Sequence, residues 1–123
     1  MMIIKGTYET PAIAFNAVEG SLLIEGKSLP ENSVEFYAPL LSALENYNNN
    51  PADFTHIDFK LEYFNTGSSK CILNILRLLQ RIHTNKGNVT INWYHDEDDD
   101  EILEIGQDYS RIINVPFNFK IIQ

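Results

Sequence analysis

The stretch that most constrains this chain is His56-Ile57-Asp58-Phe59-Lys60-Leu61-Glu62-Tyr63, in which polar and apolar residues alternate without a break. Successive side chains of a β-strand point to opposite faces, so a period of two puts Ile57, Phe59, Leu61 and Tyr63 on one face. Asp58, Lys60 and Glu62 fall on the other face, where they need water or polar partners. A strand covered by helices on both faces would read as continuously apolar. The alternation therefore predicts a sheet packed on one side and at least partly open on the other.

The flanking segments supply the rest of that sheet and its cover. Ala12-Ile13-Ala14-Phe15-Asn16 and Ser21-Leu22-Leu23-Ile24-Glu25 flank Glu19-Gly20 and read as a hairpin. From Ser33 the spacing turns helical, with Val34, Tyr37, Leu40-Leu41, Leu44 and Tyr47 in one stripe. Asn48-Asn49-Asn50-Pro51 stops that helix, and Pro39 inside it removes one backbone bond. Cys71-Ile72, Ile75-Leu76, Leu78-Leu79 and Ile82 form the stripe of a second helix, closed by Lys86-Gly87. Val89-Thr90-Ile91-Asn92-Trp93-Tyr94 is a further strand. The acidic run Asp96 to Glu101 opens a third helix, where carboxylates suit the positive end of the helix dipole. Pro116-Phe117 begins a last strand. The order β-β-α-β-α-β-α-β gives an α/β domain with a mixed, mostly parallel sheet of about five strands. Right-handed crossovers advancing one way across a sheet place the three helices mainly on one face.

All 123 residues fit one such domain, since a chain of this size buries about two thirds of its unfolded surface. The formal net charge of −8, with the nine Lys and Arg scattered, disfavours nucleic acid and anionic membranes as partners. No apolar run approaches the ~20 residues of a membrane span, and the N-terminus lacks a signal-peptide core. A single cysteine, Cys71, rules out an intrachain disulfide and any multi-cysteine zinc cluster. These features point to a soluble cytoplasmic protein whose partners are other proteins.

Chemistry concentrates in the turn from strand to helix at Asn65 to Lys70. A helix N-terminus offers unpaired N–H groups and partial positive charge, so Thr66 reads as a helix cap or as a phosphoacceptor, and Ser68 has a similar claim to the cap. Asn32 or Ser33 reads as the cap of the first helix. Thr66-Gly67-Ser68-Ser69-Lys70 lacks the glycine spacing of a phosphate-binding loop. His56, His83 and His95 fall on separate elements without ligand spacing and read as surface or edge histidines. The acidic run lacks the glycine and alternating ligands of a calcium loop. Cys71 lies on the apolar stripe and reads as a buried small hydrophobe. Neither a metal, a cofactor nor a catalytic pair is expected, so the chain reads as a non-enzyme.

Three groups of residues carry a resemblance to a known family. They are Thr10-Pro11-Ala12-Ile13; Pro30-Glu31-Asn32-Ser33 with Glu35-Phe36-Tyr37; and Tyr63-Phe64-Asn65-Thr66 followed by Ser68 and Lys70. Together they resemble the SiaC family of bacterial regulatory phosphoproteins, over nearly the whole chain. The resemblance implies a STAS-like fold, with a phosphorylatable threonine, Thr66, at the start of the helix after a central strand. It implies a protein kinase and a metal-dependent Ser/Thr phosphatase acting on Thr66. It also implies that the unphosphorylated form binds and activates a diguanylate cyclase in cyclic-di-GMP signalling and biofilm regulation. Asn65, Thr66, Gly67, Ser68 and Lys70, with Glu31, Asn32 and Ser33, are the expected partner-binding residues. Gly67 departs from the family, where serine is common. An anti-sigma-factor antagonist, sharing the fold without the cyclase, is the alternative.

Overall fold

The computed structural model describes residues 1–122. Strands β1 (Met2–Ile4), β2 (Ala12–Asn16) and β3 (Ser21–Ser28) precede helix α1 (Ser33–Tyr47). There follow β4 (Thr55–Phe64), α2 (Thr66–Lys86), β5 (Val89–His95), α3 (Asp100–Ile112) and β6 (Phe117–Ile121). The six strands form one sheet in the order β1-β2-β3-β4-β5-β6. The β1–β2 and β2–β3 junctions are antiparallel, and the three that follow are parallel. The sheet thus has one strand more than the sequence pattern indicates. The extra one, β1, is only three residues long, too short to display a period.

The alternation in β4 sets the layers. Ile57, Phe59 and Leu61 are buried with Ile13, Phe15, Leu22, Ile24, Ile91 and Trp93 of the neighbouring strands. The same core takes in Tyr37, Leu40 and Leu44 of α1 and the stripe Cys71 to Ile82 of α2. Opposite, Asn92 donates to the Asp58 carboxylate at 2.8 Å and Asn118 donates to Asn92 at 3.2 Å, a polar ladder across the uncovered face. Burying apolar surface at about 25 cal/mol per Å² is what holds the helices against one side.

Two expectations fail in instructive ways. Tyr63, expected on the buried face, is 54% exposed. Gly26 pairs with Leu61 and Lys27 with Tyr63, so β4 carries one extra residue, a bulge that shifts the phase of its last residues. Val34, expected on the α1 stripe, is 73% exposed. The buried row is Ser33, Tyr37, Leu40, Leu44 and Tyr47, so a polar residue rather than the adjacent valine starts it. Of the histidines, His56 is exposed and His83 half-buried, but His95 is nearly buried, its Nδ1 2.9 Å from the Asp96 carbonyl oxygen. Cys71 is buried.

Candidate functional site: the turn between β4 and α2

The parallel strands β3 and β4 end side by side, and each leads into a helix. The two helix N-termini therefore lie next to each other. Asn32 caps α1, its Oδ1 accepting the Glu35 N–H at 3.1 Å. Asn65 caps α2, its Oδ1 accepting the Ser68 N–H at 2.9 Å, while its Nδ2 donates to the Pro30 carbonyl at 3.3 Å. A side-chain oxygen on an N3 amide satisfies one of the four orphan donors of a helix start. The α2 cap thus belongs to Asn65 and not to Thr66 or Ser68. Thr66 becomes the first helical residue, exposed and relieved of capping duty.

Ser68 has the opposite fate. It is 0% exposed, and its hydroxyl donates to the Ser28 carbonyl at 3.1 Å while accepting from the Ser28 hydroxyl at 2.8 Å. Ser28, also fully buried, meets the Tyr37 hydroxyl at 2.6 Å. Ser33 is 7% exposed, its hydroxyl 3.4 Å from that of Ser68. Burial pushes the Tyr37 phenol up to about 12, against the opposing pull of its hydrogen bond with Ser28. These hydroxyls tie β3, α1 and α2 together directly beneath the turn. Periodicity carried no signal for Ser28 or Tyr37 as part of the site, because their polar atoms meet only once the helices have packed.

Above the network an open groove of about 670 Å³ runs between the first turns of α1 and α2. Glu31, Asn32, Ser33, Asn65, Thr66, Gly67 and Lys70 line it, joined by Val34 and Asn74. Ser68, expected on the same binding face, lies underneath, where its hydroxyl is enclosed by Ser28 and Ser33 and closed to a visiting protein. Gly67 fits because the helices approach closely here: a Cβ would stand 2.9 Å from the Ser33 Oγ. Asp99 caps α3 through the Ile102 N–H at 3.0 Å, so part of the acidic run serves the helix start.

Fold and turn together define a small α/β domain that presents one hydroxyl outward over a sealed polar base. The sequence matches the SiaC family of regulatory phosphoproteins over residues 4–122. An uncharacterized protein of Pseudomonas aeruginosa strain UCBPP-PA14 is 31% identical over 114 residues, spanning 93% of this chain and 90% of that one. A chain in the crystal structure of the diguanylate cyclase SiaD with its activator SiaC, from Pseudomonas aeruginosa, superposes with a TM-score of 0.92. It shares 28% identity and covers 99% of this chain and 100% of that chain. Apo-SiaC of the same organism superposes with a TM-score of 0.89 at 29% identity over 97% of each chain. The chain belongs to the SiaC family.

Proposed function

We propose that this chain binds and activates a diguanylate cyclase, and that reversible phosphorylation of Thr66 switches the binding off. The reading rests on one observation: in a SiaC-family chain, the Thr66 side chain is exposed at the first residue of α2 while the neighbouring Ser68 hydroxyl is enclosed. A cytoplasmic kinase thus meets an accessible acceptor, and a metal-dependent Ser/Thr phosphatase can reach the product. The groove residues Glu31, Asn32, Ser33, Asn65, Gly67 and Lys70 then form the surface that the cyclase contacts. Activating the cyclase raises cyclic-di-GMP, the signal that governs biofilm formation.

Phosphate adds about −1.5 to −2 charges and three strong acceptors at one point of this groove. At a helix N-terminus that charge suits the dipole, so the fold persists. A partner packed over the turn must instead desolvate the phosphate and find room for it, which opposes binding. The test is titration of the host's purified diguanylate cyclase with the unmodified protein, its stoichiometrically phosphorylated form and Thr66→Asp, reading affinity and cyclic-di-GMP formation. Unmodified protein should bind and activate, and the other two should bind at least about tenfold more weakly, equivalent to ~1.4 kcal/mol. Equal affinity of the unmodified and phosphorylated forms would remove Thr66 from the switch.

A further inference from the structure

The bulge in β4 changes which residues at the end of the strand face the core. Continued alternation would have placed Tyr63 inside with Leu61. Instead Phe64 turns inward, its ring 6.5 Å from that of Trp93, and Tyr63 is left 54% exposed. The partner strand accommodates this at Gly26, whose φ of +115° is a backbone conformation that glycine adopts readily. Bulges re-aim side chains, and they are over-represented next to functional sites. Here the re-aimed residue lies three positions before Thr66.

Tyr63 is not alone. Its register partner on β3 is Lys27, whose ammonium stands 4.8 Å from the centre of the Tyr8 ring. Tyr8 is 81% exposed, and the Leu29 N–H, bonded to the Glu9 carbonyl at 2.6 Å, ties its segment to the end of β3. Two exposed tyrosines, with Lys27 and the exposed Glu62 beside Tyr8, thus mark the open face at the end of the sheet that carries Thr66. The other large exposed apolar side chains outside the groove lie elsewhere: Val18 and Phe54 at the opposite end of β3 and β4, the rest along the two sheet edges and at Ile112.

The groove beside Thr66 is lined by eleven residues, whereas a stable interface takes about 20–30 residues a side. A partner seated over Thr66 must therefore reach further, and tyrosine is among the side chains that dominate interface energies. We propose that the cyclase footprint extends from the groove over the end of β4, with Tyr63 and Tyr8 as its anchors there. The assignment rests on the reading of Thr66 given above.

Calorimetric titration of the host cyclase with Tyr63→Ala, Tyr8→Ala, Tyr63→Phe and Val18→Ser tests it, with thermal melts and light scattering on each variant. Both alanine variants should melt like the wild type yet bind about tenfold or more weakly, while Tyr63→Phe stays within about threefold. Val18→Ser should bind as the wild type does. Wild-type affinity in both alanine variants overturns the assignment and leaves the role of Thr66 standing. Loss of a self-association step, with cyclase affinity unchanged, gives the patch to a second copy of the chain and also overturns it. Failure of the unmodified wild type to bind the cyclase removes both readings.

Discussion

Replacing the two hydroxyls at the start of α2 separately should split stability from modification. The Ser68→Ala change removes a group that donates to the Ser28 carbonyl at 3.1 Å and accepts from the Ser28 hydroxyl at 2.8 Å. The Ser28 carbonyl keeps the Asn65 N–H at 3.0 Å, so it is not orphaned. The Ser28 and Tyr37 hydroxyls, however, then share two protons and only each other as acceptor, stranding one donor in a fully buried site. A stranded buried donor costs about 1–3 kcal/mol. At roughly 2 cal/mol/K of unfolding entropy per residue, each kcal/mol lowers the Tm of a chain this size by about 4 °C. Ser68→Ala should therefore melt about 4–12 °C below the wild type while still accepting one phosphate from the kinase. Thr66→Ala alters an exposed first-turn residue and should stay within ~0.5 kcal/mol, about 2 °C, with no phosphate incorporated. Differential scanning calorimetry and intact mass after kinase treatment read the two effects. A Ser68→Ala protein that keeps its Tm and loses its phosphate would refute the assignment of both hydroxyls.

Two further outcomes test the packing. In Gly106→Ala the new Cβ would press into the indole of Trp93, which is 1% exposed and donates to the Ile102 carbonyl at 2.9 Å. Overpacking of about 1–3 kcal/mol should outweigh the ~1 kcal/mol gained in helix propensity, so the urea midpoint falls; a rise would show that the indole moves freely. Tyr37, held protonated to about 12, keeps its proton in the folded protein at a pH where the unfolded chain has lost it. Its contribution is complete below pH ~10 and is lost as pH climbs toward 12, up to roughly 2–3 kcal/mol. Tyr109, also raised by burial, slopes the same way, so Tyr37→Phe should flatten the alkaline fall rather than abolish it. A Tyr37→Phe curve parallel to that of the wild type would count against the buried phenol.

What the sequence disclosed depended on whether a residue's role was periodic. The one-sided sheet followed from the alternation in residues 56–62, and the stripe of α2 appeared where expected. The strand at Met2–Ile4 escaped because three residues carry no period. Tyr63 and Val34 were misplaced because a bulge and a one-residue offset broke rules that assume uniform geometry. The turn at Asn65 to Lys70 was legible as a cluster of hydroxyls at the start of a helix. Which hydroxyl faced outward was not, since that depends on Ser28 and Tyr37 arriving from elsewhere in the chain.

The strand order has a consequence for what kind of site this sheet can offer. In doubly wound α/β folds, small ligands settle in the crevice that opens where the strand order reverses direction. Here each described strand docks beside its predecessor from first to last, so the order never reverses and the sheet has no such switch point. Those ends instead deliver neighbouring helices that converge on a single threonine, a place suited to contact by a large, shape-matched visitor more than to enclosure of a metabolite.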